Sequence, residues 1–102
     1  MIKILHRDGF LCPIVICDIC QDMIGNVSEG AAVFSCSGDA NQKTEVLHAH
    51  KGQCHEAAEA KFDNDGWQEL AYHLYLLCLN TGMDHKKYLE MEEQNAQFPG
   101  WG

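Results

Sequence analysis

The chain begins with two short runs of apolar, largely β-branched residues, a pattern typical of β-strands. These runs are residues 2–6 and 10–16. The Asp8-Gly9 pair between them is a turn signal. Pro13 lies within the second run, and proline cannot donate to a strand ladder. We therefore expect two short strands, with the second at a sheet edge or broken near its start.

A second pair of strands is predicted in the middle of the chain. Residues 31–35 and 43–50 flank the loop 37–42, which is rich in turn-forming residues. Side chains alternate between the two faces of a strand, so His48 and His50 are expected on the same face. Both histidines are thereby candidates for one site.

The rest of the chain favours helices. A short helix is expected over 54–62, where alanine and glutamate dominate. Asp65, followed three residues later by Gln68, makes an N-capping arrangement for a second helix, and the segment 80–82 is its C-terminal stop. A third helix is predicted over about 84–94, so the fold class is α+β.

Length and charge restrict the classes of protein to consider. At 102 residues the chain has the size of a single domain. Its 7 Lys and Arg against 15 Asp and Glu give a net charge of −8, whereas nucleic acids require clustered cations. There is no apolar run long enough for a membrane span and no signal-peptide core near Met1. We expect a cytoplasmic protein that binds neither nucleic acid nor membrane.

Two pairs of residues have the spacing of metal ligands. Cys17 and Cys20 are separated by two residues, which lets a tight knuckle point both thiolates at one ion. His50 and Cys54 are separated by three residues and lie where the predicted strand gives way to a helix. A thiol at a helix start has a lowered pKa, which favours the thiolate that zinc binds. The sequence therefore predicts one Zn²⁺ bound by these four side chains.

The histidine ligand and the cysteine chemistry leave alternatives open. His48 shares a strand face with His50, and His55 follows Cys54 directly, so either is an alternative metal ligand. A disulfide framework would require secretion, for which the sequence gives no support. Three further cysteines have no partner at ligand spacing and are expected to be small buried hydrophobes: Cys12, Cys36 and Cys78. Of these, only Cys36 could approach the metal, from the hairpin.

The order of knuckle, hairpin and helix resembles the treble-clef zinc-finger superfamily, to which LIM-like modules belong. The resemblance covers roughly residues 14–62. It implies that Cys17 and Cys20 are the knuckle ligands, and that His50 and Cys54 are the ligands at the hairpin end and the helix. On this basis residues 1–96 form one domain, with a zinc lobe over about 10–62 and a helical part over about 65–96 folded as a helical hairpin. Residues 97–102 are expected to be a flexible tail.

The number of protein ligands decides between a structural and a catalytic metal. Three thiolates and one histidine fill the four positions of zinc and leave none for an activated water. We therefore favour a non-catalytic protein. The alternatives are a metal-dependent ββα-type nuclease using a free histidine, and a Cys-x-x-Cys thiol redox protein.

The second predicted helix points to a partner. Between Leu70 and Leu79 only His73 is polar, so this helix lacks a solvated face. Such a helix either fills the core or meets a protein partner or another copy of the chain. Five residues are the expected contacts: Trp67, Tyr72, Tyr75, Leu76 and Leu79.

Overall fold

Five strands and three α-helices follow one another along residues 1–95, the part of the chain that the computed structural model describes. The mixed composition agrees with the predicted α+β class. The predicted flexible tail, 97–102, lies outside the described residues. The elements are β1 (Ile2–Arg7), β2 (Phe10–Val15), β3 (Gly30–Ser35), β4 (Val46–His50), α1 (Gln53–Glu59), β5 (Asp65–Glu69), α2 (Leu70–Asn80) and α3 (His85–Asn95).

Strands β1 and β2 form a two-stranded antiparallel sheet of their own. The turn between them holds Asp8 at φ 49° and Gly9 at φ 83°, the left-handed conformations that a tight type I′ hairpin requires. Pro13 lies opposite Ile4. Both strands of a two-stranded sheet are edges, so the missing N–H of the proline is tolerated.

The second sheet has three antiparallel strands in the order β4-β3-β5. Its central strand, β3, carries the buried residues Ala31, Ala32 and Val33. Strands β3 and β4 match the predicted hairpin, although β4 begins at Val46 instead of residue 43. The small side chains of β3 let other elements approach this strand closely.

Strand β5 corrects the prediction that a helix is capped at Asp65. Residues Asp65–Glu69 instead pair with β3, and α2 begins only at Leu70. Gly66 explains part of this difference, because a Cβ atom there would collide with Cys36 Sγ. The apparent capping pattern is local, whereas the pairing with β3 brings a whole row of hydrogen bonds, so the tertiary contact prevails.

Helix α2 ends at Asn80, where the stop was predicted. Thr81 Oγ1 donates to the carbonyl of Leu77 at 2.8 Å, and Gly82 follows at φ 69°. Helix α3 begins after Asp84, whose Oδ1 accepts a bond from the backbone N–H of Lys86 at 3.0 Å. Both C-terminal helices are therefore present, but α3 makes no extensive backbone contact with other elements of the described chain.

A small core lies between the three-stranded sheet, α1 and α2. It consists of Cys17, Ile24, Val33, Ala49, Ala58 and Leu70. Cys17 is thus part of the core and also a member of the predicted metal site. None of the helices within residues 1–95 has the length and apolarity needed to cross a lipid bilayer.

Candidate metal centre

The Cys17–Cys20 segment is a tight turn that follows directly from β2. An isolated bridge between Ile16 and Met23 closes its base. Inside it, the N–H of Gln21 donates to the carbonyl of Cys17 at 3.0 Å, and the N–H of Cys20 lies 3.5 Å from Cys17 Sγ. These bonds turn both sulfur atoms toward the same side of the chain.

Gln21 completes this turn in a left-handed conformation, with φ 67°. For an L-residue this conformation costs about 1–2 kcal/mol, and only glycine adopts it freely. Its side chain offsets part of the cost, because Nε2 donates to the carbonyl of Asp18 at 3.1 Å.

Gln21→Gly is therefore expected to raise the free energy of unfolding by up to about 1 kcal/mol, measured by denaturant titration of the metal-loaded protein. Gln21→Ala is the matched control. It removes the same side-chain bond without relieving the backbone, and it should be neutral or destabilising. Equal stabilities for the glycine and alanine variants would contradict the backbone explanation.

Asp18 fastens the turn to strand β4. Its backbone N–H donates to the carbonyl of His48 at 2.7 Å, and its Oδ2 accepts from the N–H of His48, also at 2.7 Å. The amino group of Met1 lies 3.1 Å from the same carboxylate oxygen. These two hydrogen bonds between the turn and the strand fix the position of His50, two residues further along β4.

The four residues predicted as ligands come together at this place. One ligand atom from each of Cys17, Cys20, His50 and Cys54 lies within 4.8 Å of all the others. Cys20 Sγ and His50 Nδ1 are 3.3 Å apart. In a tetrahedral site with bonds of about 2.3 Å, ligand atoms are separated by about 3.8 Å. The cluster therefore has dimensions that suit one metal ion.

The ring of His50 is oriented by a hydrogen bond from Nε2, the ring nitrogen that points away from the cluster. Nε2 lies 3.1 Å from the carbonyl of Met23, so Nε2 carries the hydrogen and donates it. The lone pair is then on Nδ1, the atom that faces Cys20 Sγ. Metal-bound histidines usually have such an outer partner, which fixes tautomer and orientation.

The thiols of Cys17 and Cys54 differ strongly in acidity. Burial raises the pKa of Cys17, but hydrogen bonds from the backbone N–H groups of Cys20 and His50 more than offset it and bring the pKa to about 6. Burial, with the neighbouring sulfurs of Cys17 and Cys20, raises the pKa of Cys54 to about 11. The neighbouring sulfurs therefore disfavour the Cys54 thiolate, and its raised pKa is opposite to the lowered pKa expected of a thiol at a helix start. A divalent cation bound among the sulfurs would favour the thiolate.

The alternative histidines lie elsewhere. His48 Nδ1 is 3.6 Å from Asp18 Oδ2, and its ring packs edge-on against His73. His55 Nε2 lies 3.2 Å from Glu59 Oε1, and its ring packs against Trp67. Neither histidine belongs to the cluster, and neither do Cys12, Cys36 and Cys78. The expectation that these three cysteines are buried is wrong, because Cys36 is exposed and the other two are half-buried.

Sequence reasoning did not identify two contributors to the cluster, Asp18 and Met23. The role of Asp18 could have been predicted, because an acidic residue between two knuckle cysteines can accept hydrogen bonds from the backbone of a neighbouring strand. Met23 contributes only a backbone carbonyl, which no side-chain pattern reveals.

The predicted partner residues fall into two groups. Tyr72, Tyr75 and Leu79 form one exposed stripe on α2, on the side away from Leu70. We call these three residues the outer stripe. Leu76 borders it and is half-buried. Trp67 lies on β5 instead and contacts His55, so it belongs to a different surface.

The chain matches no protein-family model, no curated protein sequence and no solved structure. Its site therefore has to be interpreted from geometry and chemistry alone. What the described residues establish is an α+β protein with a Cys₃His cluster that could hold a metal ion.

Proposed function

We propose that this chain is a non-catalytic interaction module whose fold is held by one structural Zn²⁺. Cys17, Cys20, His50 and Cys54 are the ligands in this proposal. The observation that carries it is the convergence of their four ligand atoms within 4.8 Å from three separate segments of the chain. Thiolate and imidazole donors in tetrahedral arrangement suit zinc, while iron–sulfur clusters usually take four thiolates.

The treble-clef interpretation is part of the same proposal. A cysteine knuckle, a β-hairpin and a helix carrying the last ligand follow one another in the order that this superfamily uses. The 29 residues between Cys20 and His50 include strand β3 and the long connection 36–45 between β3 and β4. The later strand β5 is an addition that pairs with the hairpin.

The closed ligand set favours a structural role over the nuclease alternative. Four protein ligands leave zinc no position for a reactive water. His48 and His55, the candidate bases, lie outside the cluster, near Asp18 and Glu59 respectively. The redox alternative is disfavoured because Cys17 and Cys20 lie in a turn, whereas thioredoxin-like pairs use a helix start.

Elemental analysis tests the metal half of the proposal. We expect about one zinc per chain and little iron, with the thiols of the cluster protected from alkylation until a chelator is added. Substitution by Co²⁺ should give the absorption bands of a tetrahedral thiolate site. A chain that is fully folded and free of metal would contradict the proposal.

The outer stripe supports the interaction half. Tyr72, Tyr75 and Leu79 are each more than half exposed, although aromatic and aliphatic side chains of this size favour contact. We expect the zinc-loaded protein to self-associate, and Tyr75→Glu to make it monomeric without changing its zinc content or melting temperature. Lys61→Glu, an exposed change of charge outside the stripe, is the control and should leave association intact. Light scattering measures both variants.

A further inference from the structure

Both C-terminal helices, α2 and α3, expose large apolar side chains. Leu89 on α3 is 63% exposed, the largest fraction of any large apolar residue described. Six such residues of α2, α3 and the turn between them together expose roughly 600 Å² of side-chain surface, taking about 200 Å² for a fully exposed side chain. They are Tyr72, Tyr75, Leu79, Met83, Tyr88 and Leu89. An interface that included all six side chains and a polar rim would approach the ~800 Å² that each partner contributes to a stable complex.

The charges at the C-terminal end of α3 oppose its helix dipole. At the N-terminal end, Lys86 and Lys87 lie in the first turn, and the carboxylate of Asp84, just before the helix, accepts hydrogen bonds from both of their backbone N–H groups. Three glutamates follow in the second half of the helix, where no basic residue lies in the last turn: Glu90, Glu92 and Glu93. Asp84 therefore offsets the cations at the N-terminal end, while the C-terminal end has the less favourable charge. A local conflict of this kind is expected where a partner compensates for it.

Three residues of α3 lie on one stripe with opposite charges at its ends. Lys86, Leu89 and Glu93 have the spacing i, i+3 and i+7, which brings them to the same side of a helix. Read from the N-terminal end, the stripe is positive, apolar and negative. It is self-complementary, because an antiparallel copy presents negative, apolar and positive.

We propose that two copies of the chain associate with their α3 helices antiparallel, about a two-fold axis near Leu89. Lys86 then lies beside Glu93 of the second copy, and the reciprocal pair forms by symmetry. Each acidic end also faces the positive N-terminal end of the other helix. The inference rests on the proposed function, since it names the partner and geometry of that interaction surface.

The overall charge favours this arrangement over other pairings of two copies. At −8 per chain, two copies repel one another in most orientations. An antiparallel α3 pair brings Lys86 of each copy against Glu93 of the other, while a parallel pair would place like charges together.

Charge reversal tests the register. We expect the zinc-loaded wild-type chain to be dimeric by sedimentation over a series up to about 1 mM. K86E and E93K should each raise the dimer dissociation constant by about tenfold, because both symmetric pairs become repulsive. The double variant K86E/E93K should restore the wild-type constant, and a mixture of the two single variants should form the heterodimer. K43E, an equal change of charge in the exposed loop, should have no effect.

The outcomes separate this inference from the function on which it rests. A wild-type chain that stays monomeric at about 1 mM overturns the dimer. A dimer that resists K86E and E93K but dissociates on Tyr75→Glu overturns the antiparallel register and leaves the proposed interaction surface standing. A double variant no tighter than the single variants also overturns the register. Loss of zinc or of folding would instead count against the structural metal.

Discussion

Cys17→Ser is expected to remove the metal and to unfold most of the chain. Cys17 is fully buried and belongs both to the Cys₃His cluster and to the small core. Serine is a poor zinc ligand, and its hydroxyl would be left in a site built for a thiolate. Structural zinc contributes an apparent ~10–16 kcal/mol in zinc-finger peptides, while a whole domain of this kind is stable by only ~5–15 kcal/mol.

The measurement combines zinc content with circular dichroism during heating. We expect less than one zinc per chain and no cooperative melting transition for Cys17→Ser. Cys36→Ser is the matched control, because Cys36 is exposed and lies outside the cluster. It should keep both zinc and melting temperature. A Cys17→Ser protein that melts like the wild type would show that the fold does not depend on the cluster.

The residues of the metal cluster could be predicted from the sequence because their spacing is a local pattern. The two-residue gap between Cys17 and Cys20 and the three-residue gap between His50 and Cys54 need only a turn and a helix start to bring each pair together. The pairing of β3 with β4 then brings the two halves to one place. No long-range knowledge was needed beyond the existence of that hairpin.

The choice among histidines shows where the strand pattern was insufficient. His48 and His50 do alternate onto one face, as expected, but residues two apart on a strand are separated by about 6.6 Å. The strand pattern alone therefore cannot choose between them. What distinguishes them is Asp18, which engages the backbone and ring of His48, and the carbonyl of Met23, which orients His50.

Strand β5 could not be predicted because its cause is distant in sequence. Residues 65–69 contain an acceptable helix cap, and nothing local argues against it. The strand forms because β3 has a free edge and because Gly66 fits against Cys36, about thirty residues earlier in the chain. The consequence for function is that Trp67 leaves the helix and the outer stripe of α2 is shorter than predicted.

Leu70→Ala is expected to be the most destabilising change in α2. Leu70 is 1% exposed, and its Cδ2 lies 2.6 Å from the position that a Cβ on Gly30 would occupy. Leu70 therefore fills the space above a glycine of the central strand, where no neighbour can move in to close a cavity. A buried Leu→Ala change of this kind costs about 3 kcal/mol, or roughly 15 °C in melting temperature for a domain of this size.

Leu79→Ala is the matched control, since it removes the same atoms from the same helix at a position that is 58% exposed. At a concentration where the protein is monomeric, it should change the free energy of unfolding by less than about 0.5 kcal/mol. In an association assay we expect the opposite ranking of the two variants. Leu79→Ala should weaken self-association, whereas the fraction of Leu70→Ala protein that remains folded should associate like the wild type. Equal losses of stability would mean that α2 has no inner and outer side, and the outer stripe could not then be a contact surface.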